Sequence, residues 1–199
     1  MDGKPDVITL NRDSRRIAVL RNTSTPGAIS FAEREEFITG NDPRSLKVTD
    51  VDKDGKPDIC FSNYFDNTFS VLRNTGSPGV ISFDVRVSFV TSLNPYYMLA
   101  DDMDTDGKTD IIITNFFTGS TSLFRNTSVP GAISFDNRIN VDVSAIAYEA
   151  GTGDLNGDGK PELIVTNGST QLSVFRNTGT PGTISLDLPA VFTTGSACR

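Results

Sequence analysis

An acidic nine-residue motif recurs in this chain at a fixed interval of 52 residues. It reads Asp50-Val51-Asp52-Lys53-Asp54-Gly55-Lys56-Pro57-Asp58, then Asp102-Met103-Asp104-Thr105-Asp106-Gly107-Lys108-Thr109-Asp110. The third copy is Asp154-Leu155-Asn156-Gly157-Asp158-Gly159-Lys160-Pro161-Glu162, and the chain opens inside a fourth with Asp2-Gly3-Lys4-Pro5-Asp6. A period of this size means one supersecondary unit per repeat, stacked as blades or as a solenoid.

The repeat extends beyond the motif. Arg-Asn-Thr begins at Arg21, Arg73, Arg125 and Arg176, and Pro-Gly follows at Pro26, Pro78, Pro130 and Pro181. Ile-Ser-Phe follows at Ile29, Ile81 and Ile133, with Ile184-Ser185-Leu186 in the last copy. Each repeat reads as four short strands: in the second these are Leu46–Thr49, Asp58–Ser62, Thr68–Arg73 and Ile81–Val90, with Pro-Gly as a turn signal. No stretch has helical periodicity. The expected fold is all-β: β-propeller blades of four antiparallel strands on a repeat of about 52 residues. The repeats fall near 1–36, 37–88, 89–140 and 141–199 of a single propeller. The first lacks its innermost strand, which leaves roughly 3.75 blades in an open or partial ring. Because Met1 sits at the fourth position of a loop, the chain is expected to be a fragment, and its incomplete first blade offers an edge for self-association.

Composition narrows the function. The net charge is −7, which argues against nucleic acid as a partner. The three whole motifs hold 11 of the 25 acidic residues, so the charge is concentrated in the loops. There is no histidine, which removes the commonest general base and the usual transition-metal ligand. Asp42, Glu35, Glu36 and Glu149 lie outside the loops, but no spacing marks them as a catalytic pair. The reading is therefore not an enzyme. Cys60 sits in an apolar run and reads as a small buried hydrophobe. No apolar run approaches the length of a membrane span.

The loop chemistry fits calcium, which takes oxygen ligands from a flexible loop. Positions 1, 3 and 5 aim side-chain oxygens at one centre: Asp50, Asp52 and Asp54; Asp102, Asp104 and Asp106; Asp154, Asn156 and Asp158. Glycine at position 6 permits the reversal, Lys56, Lys108 and Lys160 offer a main-chain carbonyl, and Asp58, Asp110 and Glu162 close the site. Three calcium sites are predicted, the weakest at the third loop, which carries one charge fewer. An EF-hand is excluded because position 12 is Phe61, Ile113 or Val165, each in a strand. The competing reading is a metal-free acidic turn, which leaves four like charges unneutralised.

This pattern resembles the FG-GAP/VCBS repeat family, whose loop also occurs in the β-propeller of integrin α subunits. The resemblance covers essentially the whole chain. It implies a secreted or cell-surface propeller, calcium at the loop positions named above, and a role in adhesion or scaffolding. The Phe-Gly and Gly-Ala-Pro signatures behind the family's name are not present as such.

On the face opposite the loops, Tyr64, Phe65, Tyr96, Tyr97, Phe116 and Phe117 fall in connections that vary between repeats. Aromatics there suit a glycan or a protein hot spot. The competing reading is that they wedge between blades. The ligand is a protein or a glycan, with a lectin-like propeller or an accessory piece of a larger secreted hydrolase as the alternatives to adhesion. The recurring Asn11, Asn63, Asn115 and Asn167 read as turn residues.

Overall fold

The computed structural model describes residues 3–143, 146–168 and 170–195. Asp2, in the partial first loop, and Cys198 lie outside the described residues. The described chain is all-β and forms four antiparallel sheets in chain order. Sheet one has β1 (Val7–Asn11), β2 (Arg16–Leu20) and β3 (Glu35–Ile38). Sheet two has β4 (Pro43–Thr49), β5 (Asp58–Asn63), β6 (Thr68–Leu72) and β7 (Val87–Val90). Sheet three has β8 (Pro95–Asp101), β9 (Asp110–Asn115), β10 (Ser120–Phe124) and β11 (Ile139–Asp142). Sheet four has β12 (Ala150–Gly153), β13 (Glu162–Thr166), β14 (Gln171–Phe175) and β15 (Ala190–Thr193). Each is an up-and-down meander, the topology of a propeller blade.

Among the described residues, sheet one has no counterpart of β4, β8 and β12. A groove of about 690 Å³ lined by Lys4, Pro5, Ile8, Val48 and Pro78 opens between it and sheet two. The strand that closes each of the first three sheets runs two residues past the repeat bounds taken from sequence.

The middle strands of sheets two and three are buried on both faces, so their side chains alternate between neighbouring sheets rather than between core and solvent. Ile59 and Phe61 of β5 pack with Ile17 and Val19 of sheet one, while Cys60, between them, packs with Ile111 and Ile113 of sheet three. Ile112 and Leu123 of sheet three in turn join Leu163, Val165 and Phe175 of sheet four. The apolar core is thus a series of junctions between sheets.

One strand differs from expectation. The sequence suggests a single strand over Ile81–Val90, but the structure divides this region. Asn74 bridges Phe83 and Ser77 bridges Val80, enclosing Pro78-Gly79, and only then does β7 begin. The hairpin recurs in all four repeats. Gly79 adopts φ 81°, with 85°, 90° and 89° at Gly27, Gly131 and Gly182. Proline followed by glycine in the left-handed region is the requirement of a type II turn, and its return arm takes up residues 80–83, so the ladder with β6 starts only at Val87.

Candidate metal centres

Each acidic loop joins the first two strands of a sheet, so its ends are fixed by a two-strand ladder. Thr49 pairs with Asp58, and Asp101 with Asp110. Between them the aspartates organise the backbone. Gly55 N–H donates to Asp50 Oδ2 at 3.0 Å, Gly107 N–H to Asp102 Oδ2 at 2.8 Å and Gly159 N–H to Asp154 Oδ2 at 2.9 Å. Lys56, Lys108 and Lys160 N–H donate to the position-5 carboxylates at 2.9, 2.9 and 3.0 Å. Position 4 also takes a positive φ, 61° at Lys53, 56° at Thr105 and 80° at Gly157. The glycine of the third copy was the sequence signal for this second left-handed turn.

The position-9 acid clamps the loop to the following hairpin. Asp58 accepts from Val51 N–H at 2.9 Å and Asn74 N–H at 2.8 Å; Asp110 accepts from Met103 N–H at 2.9 Å and Asn126 N–H at 2.8 Å. Burial pushes both carboxyls above the ordinary value, against the lowering effect of those N–H groups, and the neighbouring loop carboxylates add to the rise. Asp110 is raised to about 7. Two acid trios converge, with ligand atoms within 4.8 Å of one another: Asp50, Asp52 and Asp58, and Asp102, Asp104 and Asp106. Asp50 Oδ1 is buried with no hydrogen-bond partner. An orphaned carboxylate oxygen inside an all-oxygen cluster fits a hard divalent cation.

The third loop is built differently. It gathers no such acid trio among the described residues, and Asp154, Asn156 and Asp158 are exposed. Glu162 Oε1 accepts from Asn156 Nδ2 at 2.9 Å, so two of the expected ligands bond each other.

Sequence reasoning missed the arginine of Arg-Asn-Thr. Arg125 donates from Nε to Asp104 Oδ2 at 2.7 Å and from Nη2 to Asp106 Oδ2 at 3.1 Å, with Asp136 at 3.0 Å on its third nitrogen. Arg73 lies 3.7 Å from Asp52, 3.4 Å from Asp54 and 2.8 Å from Asp84. These guanidiniums offset part of the loop charge. In the fourth repeat Asn156 carries no charge, and among the described residues Arg176, 65% exposed, forms an ion pair with Asp187 alone, at 3.6 Å. Recurrence of arginine in step with the loops was the available signal.

The loops also join one sheet to the next. Asp52 Oδ2 accepts from Gly131 N–H of sheet three at 2.8 Å, and Asp104 Oδ2 from Gly182 N–H of sheet four at 3.0 Å. The carbonyls of Val51 and Met103 accept from Asn126 Nδ2 and Asn177 Nδ2 at 2.9 and 2.7 Å.

At the opposite ends of the sheets the aromatic positions separate into two groups. Tyr64, Tyr96, Phe116 and Tyr148 form a row of edge and tilted contacts, with ring centroids between 5.1 and 6.4 Å apart, and Arg44 lies 4.5 Å over Tyr64. They line a groove of about 460 Å³ with Arg44 and Glu149 at its margin. Phe65 and Phe117 are 66% and 68% exposed, each stacked edge-on against its predecessor. Tyr97 stands apart, with Lys47 Nζ 5.4 Å above its ring. Two of the recurring asparagines clamp neighbouring segments: Asn63 Oδ1 accepts from Gly40 N–H and its Nδ2 donates to Ser70, and Asn115 Nδ2 donates to Ser122.

Comparison with known proteins agrees with this architecture. A family model described as FG-GAP-like repeat matches residues 1–61, 50–113 and 102–165. Among solved structures, the crystal structure of BBS1N in complex with ARL6DN, soaked with mercury, is similar with a TM-score of 0.61 at 13% identity. That alignment covers 98% of this chain and 51% of the other, so the chain spans about half the length of the structure it matches. No curated protein matches the chain. No helix among the described residues is long and apolar enough to cross a membrane.

Proposed function

The chain belongs to the FG-GAP-like repeat family, and from that premise we propose a non-catalytic, calcium-stabilised propeller module for adhesion or scaffolding at an extracellular site. The observation that carries the reading is the convergence of Asp50, Asp52 and Asp58 around a buried, unpartnered Asp50 Oδ1, matched by the trio in the next repeat. Asp50, Asp52 and Asp58 would hold the ion in one loop and Asp102, Asp104 and Asp106 in the other, with Asp54 and Asp110 ordering the loop backbone. The ion supplies positive charge where carboxylates crowd. The protein's residues do the rest: the glycine and lysine N–H groups shape the loop, and Asp52 and Asp104 pass its order to the next sheet.

The test is a thermal melt in chelator, in excess calcium and in excess magnesium. A calcium-specific rise in Tm is expected, and Asp50→Ala should reduce it. Equal melting in all three conditions would reject the metal.

A second reading, a glycan-binding face, is favoured by exposed Phe65 and Phe117 beside the groove of Arg44, Tyr64, Tyr96, Tyr148 and Glu149. Aromatic platforms with polar margins suit sugar rings. With no tryptophan in the chain, tyrosine fluorescence titrated with oligosaccharides reports on this groove directly. An unchanged signal across a glycan panel would remove the reading.

A further inference from the structure

The groove at the ends of sheets two, three and four changes its chemistry along its length. One repeat position supplies Arg44, Tyr96 and Tyr148, each 52 residues after the last, and a second supplies Tyr64 and Phe116. The Pro-Gly turns recur in every repeat, whereas the first of these positions is arginine in sheet two and tyrosine in the next two repeats. The rings form a continuous set of contacts from Tyr64 through Tyr96 and Phe116 to Tyr148. Arg44 extends that set, 4.5 Å from the centre of the Tyr64 ring and 5.7 Å from that of Tyr96.

The charges are set by the neighbours of Arg44. It donates from Nε and Nη2 to Asp42 Oδ2 at 2.9 and 2.6 Å. The other oxygen of Asp42 accepts from Arg12 Nε at 2.7 Å. One carboxylate therefore faces two guanidiniums, which leaves a surplus positive charge at the sheet-two end. Among the described residues Arg44 Nη1 has no acceptor. Glu149, exposed, lines the groove at its sheet-four end. The main chain beneath is already bonded: Tyr64 N–H donates to Asp42 O, Phe116 N–H to Asn94 O and Tyr148 N–H to Thr166 O, at 3.1, 3.0 and 3.1 Å. With those donors used, an extended peptide finds no strand edge to pair with, and recognition falls to the side chains.

We propose that this groove takes an acidic oligosaccharide, with a uronic-acid carboxylate on Arg44 and the adjoining neutral sugar over Tyr96 and Tyr148. The assignment rests on the glycan reading of the same groove and adds a charge and a direction to it. A guanidinium matches a carboxylate in its own plane, and its bond to an anion is charge-assisted. The apolar C–H face of a pyranose suits an aromatic ring, while its hydroxyls stay at the polar margin. Glu149 repels a carboxylate at the far end, so the acidic residue is held at the arginine end. A sugar chain in which uronate and neutral residues alternate fits this polarity.

Tyrosine fluorescence of the full chain tests this, because three of its four tyrosines line the groove. The probes are hyaluronan and glucuronoxylan fragments, the same fragments with their carboxyls methyl-esterified, neutral oligosaccharides and polyglutamate. At least one uronate fragment should change the signal saturably and bind about tenfold or more tighter than its ester, the loss of one charge-assisted hydrogen bond. That comparison needs no variant. Arg44→Gln, its melt checked beside wild type, should bring the acid down to the affinity of the ester and leave the ester unchanged. Equal binding of acid and ester, or binding of neutral sugars alone, overturns the acidic assignment while the glycan reading stands. Silence with every sugar removes both. Polyglutamate binding as tightly as the uronate fragments would make the groove a site for acidic peptides, and also overturns the proposal.

Discussion

Asp104→Asn separates the two roles assigned to the acidic loops. The side chain is buried, and its Oδ2 accepts from Arg125 Nε at 2.7 Å and Gly182 N–H at 3.0 Å. Asparagine keeps the volume but places an amide nitrogen or an uncharged oxygen against two donors. Breaking a buried charge pair while leaving its partner in place costs about 3 kcal/mol. For a chain of this size that is a fall of roughly 6–12 °C in Tm in chelator. Asp102→Asn is the control. Its carboxylate accepts only loop N–H groups, from Gly107 at 2.8 Å and Asp106 at 3.1 Å, so it should cost about 1 kcal/mol, or roughly 2–4 °C. Both remove a ligand charge, and both should lose the calcium increment of the loop, ~2.7 kcal/mol per site at a hundred times Kd. Calorimetry of the three proteins in chelator and in calcium gives all the terms. Equal melting of the two variants in chelator would refute the reading of Asp104 as a link between sheets three and four.

Three further outcomes are expected. Asp110 has a folded pKa of about 7, above its unfolded value, so in chelator the stability it contributes is full below about pH 4 and is lost as pH rises through 7. With no histidine to mask that window, Tm in chelator should fall between pH 5 and 8, and calcium should shrink the fall; a flat profile would contradict it. Burial pushes the Cys60 thiol far above its ordinary value, so in a Cys198→Ser variant iodoacetamide at pH 8 should leave Cys60 unmodified until the protein unfolds; rapid labelling of native protein would show the site to be open. Phe65→Ala and Phe117→Ala should leave the melt within about 0.5 kcal/mol of wild type, whereas Tyr96→Ala, which removes contacts to three rings, should cost about 3 kcal/mol. Equal costs would erase the distinction between exposed platform and packed row.

The architecture was legible because the period repeats every structural device together. The acidic loop, the Pro-Gly turn and the alternating strands are local signals, each with its own stereochemistry, and each appears where its residues demand. The misses are contacts that join residues far apart in sequence. Nothing in Arg-Asn-Thr states that Arg125 reaches back 21 residues to Asp104, or that Asn126 reaches 75 residues to the Val51 carbonyl. The long strand expected over Ile81–Val90 failed for a local reason: the hairpin of Asn74 and Phe83 satisfies the backbone before a ladder with β6 can start. The aromatic face was legible as a set of positions, but its division was not. Tyr64 is buried and Phe65 exposed although they are adjacent, because only one of them points towards the neighbouring sheet.

Loop order and array order depend on each other. The first two loops sit where the next sheet brings a glycine N–H to position 3 and an asparagine to the carbonyl of position 2, and where Arg73 or Arg125 supplies a cation. Among the described residues no sheet follows the third loop, which carries the uncharged Asn156, and Arg176 is 65% exposed. Asp154 and Asp158 are exposed although Glu162 is buried, and Asp154 is held below the usual carboxylate range mainly by the Gly159 N–H within its own turn. It follows that the third loop should contribute less calcium-dependent stability than the first two. An Asp154→Asn variant isolates the effect: its calcium increment in Tm should fall short of wild type by less than that of Asp102→Asn. An equal shortfall in the two variants would separate loop order from the contacts with the next sheet.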